Sequence, residues 1–508
     1  MPSDQPKHPP SEHPPSEHRS PEHRSSEHRP PGDRPGTAAL PEAGRPPGEL
    51  LAELGRLRDA DLPVRGGQVT AYVYDTGREA VHDLAATAYL EMLEVNCLDP
   101  TAFPSIVALE RRIVAAVADK LGGGSGVFTS GGTESIMLAV KSARDARPVE
   151  GRPQIVLPAT GHPAFHKAAH YLGMEVVQVP VDASFRADPA ATAAALTPRT
   201  VLVVASAPSY PHGVMDPVPQ IASVAAAAGV PCHVDACVGG WVLPWLRDAG
   251  RDVPPFDMSV PGVTSLSCDL HKYGYSPKGA SVVLYADEAL RRRAYFAAAE
   301  WPGYTVINAT VQSSKSAGPL GAAWATLNAV GARGYRELAD TAMKSAERLI
   351  EGVAGIPGLR VLGEPVAPLV AVASCDPGLD VFVLADEARS RGWFFQPQLS
   401  YQGIPPNLHF TLTGVSDIEP LLAALADSAA AARGAGPPDV PSGLADALAD
   451  LDLDSLDDAG FAGLLASVGV DPAAGGAPGM AVVNTILDAL PPATREALLI
   501  RFLSALYA

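Results

Sequence analysis

Cysteine is scarce in this 508-residue chain, with five residues at Cys97, Cys232, Cys237, Cys268 and Cys375. None forms a CxxC pair or falls at metal-ligand spacing with histidine. A disulfide scaffold and a Cys/His zinc site are thereby excluded, and a reducing cytoplasm is expected. Charge is also sparse, at 19% of residues, and leans acidic to a formal net of −18. Nucleic-acid binding needs a basic face, so that class is excluded. No run reaches the roughly 18 uninterrupted apolar residues of a membrane helix. The nearest approach, residues 218–245, is broken by Gln220, His233 and Asp235. The N-terminus has no apolar leader core either. A soluble protein without a membrane span is expected.

Proline is abundant, at 50 residues, and the first 47 positions are dense in it. Residues 11–30 read SEHPP SEHRS PEHRS SEHRP, a pentapeptide repeat. Such a composition cannot bury enough apolar area to offset its ordering entropy, so a disordered tail is expected over 1–47. Loose metal binding by His13, His18, His23 and His28 is the lesser reading.

From Gly48 onward the pattern is globular. Apolar spacings of three and four predict helices over 76–94 and 104–120, an N-terminal helical segment spanning 48–120. Strands and helices then alternate. Strands are expected at 127–129, 154–158, 176–179, 201–205, 231–234, 265–268 and 281–284, with helices at 133–146, 164–172 and 218–228. This alternation predicts an α/β fold, a mixed, mostly parallel sheet in a large domain over 121–330. A long helix is expected over 318–354. A smaller C-terminal α+β domain, 331–432, then has strands at 359–362, 369–372 and 408–413 and a helix at 379–391. Residues 431–443 read as a linker. Beyond it, 433–508 holds an acidic run around 446–458 and a helical arm ending in a helix over 492–507. Asp454-Ser455-Leu456 in the acidic run has the form of a carrier-domain attachment triplet, but too few residues precede it for a carrier helix.

Four segments place an unusual polar residue at a strand end, where doubly wound sheets bind ligands. In FTSGGTESIMLA, 128–139, a strand runs through Ser130, Gly131, Gly132 and Thr133 into a helix. Glycines let a ligand approach the backbone, and the helix start offers free amides to a phosphate. A simple N-cap with a capping box through Glu134 is the competing reading. In PCHVDACVGG, Asp235 ends a buried strand and requires a cationic partner or a cap. In SLSCDLHKYGYSPKG, His271 and Lys272 follow a strand. A lysine held there in a dry site is expected to have a lowered pKa and to attack a carbonyl, forming a Schiff base. Lys278 lies in the next loop, as an anion contact or a plain surface residue. In GHPAFHKAAHY, His162 precedes a helix, where it can cap or stack on a planar ligand, while His166 and His170 read as packing.

A phosphate nest, a buried aspartate, an activated lysine and a stacking histidine together suit pyridoxal 5'-phosphate. At this point the sequence resembles the pyridoxal-phosphate-dependent group II decarboxylases of fold type I, and within them the sphingosine-1-phosphate lyases. The resembling stretches are TSGGTESIMLA, PHGVMDPVP, HVDACVGG, GVTSLSCDLHKYGYSPKG and GMAVVNTILDAL with FLSALY, spread over about 65–508. The resemblance implies that Lys272 bonds the cofactor aldehyde, His271 and the nest of Gly131, Gly132 and Thr133 hold its phosphate, His162 stacks on its ring, and Asp235 pairs with its ring nitrogen. It further implies that Ser206 and His212 line the cofactor pocket, that Lys278 meets a substrate phosphate, and that Tyr74 and Ser314 reach the site of a neighbouring subunit in a homodimer. The implied activity is cleavage of a C–C bond in a small β-hydroxy amine, with amino-acid decarboxylation as the alternative. The sequence departs from the family at Asp99, where a phosphate-binding histidine is usual, at Lys315 within the Ser314–Gly318 loop, at Leu270 and at His166.

Overall fold

The computed structural model describes residues 40–438, 440, 448, 456–467 and 479–507. The histidine repeat, the Asp454–Ser455 pair and most of the acidic run lie outside the described residues.

Seven strands form the main sheet: β1 (Ser125–Thr129), β2 (Gln154–Pro158), β3 (Glu175–Val179), β4 (Thr200–Ser206), β5 (Cys232–Asp235), β6 (Val263–Asp269) and β7 (Ser281–Tyr285). Their order is β1-β7-β6-β5-β4-β2-β3. Pairs from β3 through β6 are parallel, and only β7 runs against its neighbours. Every residue of TVLVVAS in β4 is buried, as expected for a parallel strand covered on both faces. The expected alternation is thus present, and each strand lies within about two residues of its sequence-based position.

A hairpin of β8 (Phe296–Ala298) and β9 (Val306–Asn308) follows, then an antiparallel sheet of β10 (Leu359–Leu362), β11 (Leu369–Ser374), β12 (Gln396–Gln398) and β13 (Asn407–Thr411). The sequence did not reveal β8, β9 or β12, each three residues long. Strands this short carry too little periodicity to stand out.

The long helix spans Gly318–Val353 but breaks at Gly331, whose φ of 60° and ψ of 173° interrupt the helical ladder. Residues before the break pack on the large core, and residues from Ala346 onward on the small one. The expected linker is shorter at its start, because the helix Ile418–Ala435 runs into it.

Helices α1 (Pro47–Arg58), α2 (Glu79–Glu91) and α3 (Pro104–Lys120) come first in the chain, followed after β1 by α4 (Gly132–Ala146) and after β2 by α5 (Ala164–Tyr171). Between α1 and α2 the backbone crosses to the small sheet. Thr70 Oγ1 donates to the Phe394 carbonyl at 2.9 Å, and the Thr411 N–H donates to the Thr70 carbonyl at 2.7 Å. This crossing brings Tyr74 to the mouth of the main sheet. The two sheets also meet at Gly213, where φ is +68° and a Cβ would lie 2.3 Å from the Leu369 carbonyl. Only glycine fits there.

Candidate active site

Strand β6 ends at Asp269, and the turn that follows carries His271 and Lys272. Lys272 Nζ lies 3.1 Å from Asp269 Oδ2, and His271 Nε2 lies 3.5 Å from the same oxygen. His271 Nδ1 accepts the Ala280 N–H at 3.3 Å, which leaves Nε2 to carry the proton toward the crevice. Burial pushes the Lys272 pKa down, but the Asp269 carboxylate, together with Cys237, Tyr74 and Asp235, more than reverses this and holds the ammonium above its ordinary value. The expected fall is therefore corrected, because the acidic groups gathered around the nitrogen, led by Asp269, together outweigh desolvation.

The lowered lysine is Lys278. Its side chain reaches the surface, but desolvation along its length, then the charge of Lys272, pulls it down to about 8. Its Nζ donates to the His271 carbonyl at 3.2 Å and sits 5.0 Å from the Tyr74 ring centroid.

Across the nest, Gly131 precedes α4 and no side chain caps the helix. Glu134 does not close a capping box. Its Oε2 accepts the Ser130 N–H and its Oε1 the Val311 N–H, both at 2.7 Å. It ties the loop before the long helix to the nest and leaves the helix-start amides to an anion. A Cβ on Gly132 would lie 2.7 Å from Cys237 Sγ and 2.8 Å from Asp269 Oδ2, so the cradle requires glycine. Thr133 is exposed on the first turn of α4.

Asp235, at the end of β5, pairs in register with Ser206 of β4 and Ser267 of β6. It accepts the Cys237 N–H at 3.1 Å. Ser206 Oγ is buried without a hydrogen-bond partner. His162 sits before α5, with Nδ1 accepting the Ala164 N–H at 3.2 Å. Burial lowers its pKa, against the raising charge of Asp235, so its ring presents a neutral flat face.

Three expectations change. Tyr74 packs edge-on to its own chain's Tyr273 at 5.1 Å, beside its own Lys278. Burial lifts its pKa to about 12, and Lys272 opposes that rise. The tyrosine expected from a neighbour is thus supplied within the chain, because the 69–75 crossing carries it there. His212 stacks on Phe185 at 4.2 Å, and burial alone lowers its pKa to about 4. Both of its ring nitrogens are buried without hydrogen-bond partners. Asp99 is exposed and accepts from Thr101 N, Thr101 Oγ1 and Ala102 N at 2.8, 2.6 and 3.2 Å, an ordinary turn cap. Ser314 is exposed on the loop whose next residue, Lys315, donates from Nζ to Thr310 Oγ1 at 2.9 Å.

Two residues escaped the sequence reading. Asp269 stands at a strand end just as Asp235 does, and that rule would have found it. Tyr210 hydrogen-bonds Gln396 Oε1 at 2.6 Å, stacks on His409 at 4.1 Å and feels the charges of Tyr74 and Lys272. It lies in a loop without a local signal.

Two family models match the chain: aminotransferase class-V over residues 115–368, and the C-terminal putative HTH domain of pyridoxal-dependent enzymes over 442–505. Sphingosine-1-phosphate lyase 1 of Rattus norvegicus is 37% identical over 387 residues, 75% of this chain and 67% of that protein. The chain belongs to the sphingosine-1-phosphate lyase family. The Arabidopsis thaliana lyase is 39% identical, over 68% of this chain and 64% of that protein. The chain thus spans about two thirds of the length of these relatives. Among solved structures, the lyase of Burkholderia pseudomallei superposes with a TM-score of 0.72 at 34% identity, covering 78% of this chain and 93% of that one. Glutamate decarboxylase of Lactobacillus brevis shares the fold, with a TM-score of 0.70 at 19% identity over 81% and 97%.

Members of this family are fold type I enzymes that use pyridoxal 5'-phosphate. The residues fit that group: a glycine cradle at an uncapped helix start, an orphaned Ser206 hydroxyl, a carboxylate at the end of β5, and a half-buried lysine.

Proposed function

We propose that this family member is a lyase that cleaves a C–C bond of a phosphorylated β-hydroxy amine, releasing an aldehyde. The observation that carries the reading is the pair of lysines, one held charged beside Asp269 and one poised near neutrality at the mouth. When bound, pyridoxal phosphate supplies an electron sink for the pair left by a bond broken at the amine carbon. Lys272 would bond it, the Gly131–Thr133 nest and His271 would hold its phosphate, and Asp235 would keep its ring nitrogen protonated. His162 would cover its face and exclude water from it.

Lys278 offers a cation to the substrate phosphate, with Tyr74 beneath it. Asp99 does not oppose this, since its carboxylate is exposed and engaged in a local cap. The test is product analysis with phosphorylated β-hydroxy amines and with plain amino acids. Aldehyde from the former supports the reading. Carbon dioxide from the latter, without aldehyde, replaces it with decarboxylation.

A homodimer accompanies this proposal. Helix α1 buries no residue, and Leu51, Leu54 and Leu57 form an exposed stripe. A 12-residue helix is marginal in water without a packed face. Phe296, Trp301, Tyr304 and Ile307 of the β8–β9 hairpin are exposed as well. A cavity of about 820 Å³ lined by Tyr89, Leu98 and Ile307 also borders Ser130 of the nest and Lys315, the neighbour of Ser314, so a second copy on this face would reach the site. Solution mass measurement on wild type and on Leu51→Asp/Leu54→Asp tests it. A monomeric wild type would refute the dimer. No helix among the described residues is long and apolar enough to cross a membrane, and the five free cysteines favour a reducing, cytoplasmic setting.

A further inference from the structure

Asp269 is buried, with its side chain only 2% exposed. Oδ2 meets Lys272 Nζ at 3.1 Å and His271 Nε2 at 3.5 Å, while Oδ1 has no hydrogen-bond partner. The first turn of α4 comes so near that a Cβ on Gly132 would lie 2.8 and 3.0 Å from its two oxygens. A carboxylate withdrawn from water needs a compensating charge, and the Lys272 ammonium is that charge. The ammonium has to be discharged before the nitrogen can attack anything.

We propose that Asp269 is the positioning residue of Lys272, shuttling its proton while the cofactor aldehyde is captured and then remaining as the counter-ion of the protonated C=N nitrogen. The inference rests on the cofactor reading above. Asp269 accepts one ammonium proton, which frees the lone pair for the bond from Nζ to the aldehyde carbon. The carbonyl oxygen leaves as water and takes two protons, one directly from nitrogen and one returned by Asp269. An ammonium and an aldehyde enter; a protonated C=N and one water result, and no oxidant or reductant is needed. Other titratable groups surround the nitrogen: Asp235, Cys237, Cys268, Tyr74, Tyr210, His162, His271 and Lys278. Among the described residues, Asp269 is the one that forms an ion pair with Nζ.

The experiment titrates the long-wavelength absorption of the protonated C=N against pH in the loaded wild type, Asp269→Asn and Asp269→Glu, and measures the rate of loading by pyridoxal phosphate. The Asn variant is expected to lose the band at least one pH unit lower and to load at least tenfold more slowly, with the Glu variant in between. Identical midpoints and rates in all three overturn the proposal. A measurement on the wild type guards against a variant that fails to fold. In cofactor-free enzyme, reductive methylation should reach Lys278 at a pH near 8, whereas Lys272 resists until well above it. Methylation of Lys272 as early as Lys278 overturns the proposal. A wild type that takes up no pyridoxal phosphate refutes the cofactor reading instead.

Discussion

Lys278 Nζ stands 5.0 Å from the centroid of the Tyr74 ring and donates to the carbonyl of His271, the residue next to Lys272. Two lysines of one loop thus face one crevice with opposite pKa displacements. Desolvation dominates at Lys278, while at Lys272 several nearby acidic groups, led by the Asp269 carboxylate, together override it.

That relationship predicts a pH dependence. Lys278 has a pKa of about 8, below its ordinary value, so its charge is present below that pH and lost as pH rises through it. If it binds an anionic substrate, KM should climb about tenfold per pH unit above 8 while kcat changes less. Lys278→Arg stays charged and should remove the climb up to about pH 10. An unchanged climb in Lys278→Met would refute the assignment.

Lys272→Ala should abolish the visible absorption of the loaded enzyme, because among the described residues Lys272 is the lysine that ion-pairs with Asp269 beside the nest. Absorption spectra before and after dialysis against pyridoxal phosphate check this. A persistent, unaltered band would mean that another lysine bonds the cofactor.

The two nest glycines should respond differently to alanine. At Gly132 a Cβ would press on Cys237 Sγ and Asp269 Oδ2 at 2.7 and 2.8 Å, whereas at Gly131 its nearest neighbour is His271 Cε1 at 3.2 Å. Gly132→Ala should weaken cofactor binding by about tenfold or more, roughly 1.4 kcal/mol. Gly131→Ala should lose about threefold or less. Fluorescence titration with pyridoxal phosphate distinguishes them, and equal losses would contradict the close approach of Asp269.

Glu134→Ala removes the acceptor shared by the Ser130 and Val311 amides. Stranded buried donors cost about 1–3 kcal/mol. Ser130 and Val311 are exposed, so water replaces part of the loss and the low end, about 1 kcal/mol, is expected. Thermal unfolding reports it, and faster proteolytic nicking within residues 309–316 should accompany it.

The main sheet was legible because each strand carries its own signal. The buried run TVLVVAS, the strand-end Asp235 and Lys272 in the turn after β6 announce themselves over a few positions. Tyr210 and the Tyr74 approach were not legible, since both depend on pairing between segments far apart in the chain: Thr70 with Thr411, 341 residues on, and Tyr210 with His409, 199 residues on. Asp269 was readable in principle, as it occupies the same strand-end position as Asp235.

By itself the sequence determined the α/β architecture and, through its motifs, the cofactor class, because periodicity and strand-end polarity are local properties. Only the tertiary structure decided the electrostatics. Whether Lys272 is discharged or held charged depends on its surroundings, foremost a carboxylate 3.1 Å away, and the same packing stacks His212 on Phe185 and sets Lys278 over the Tyr74 ring. Desolvation and Coulomb attraction act through space over a few ångströms, so residue order alone does not fix their balance.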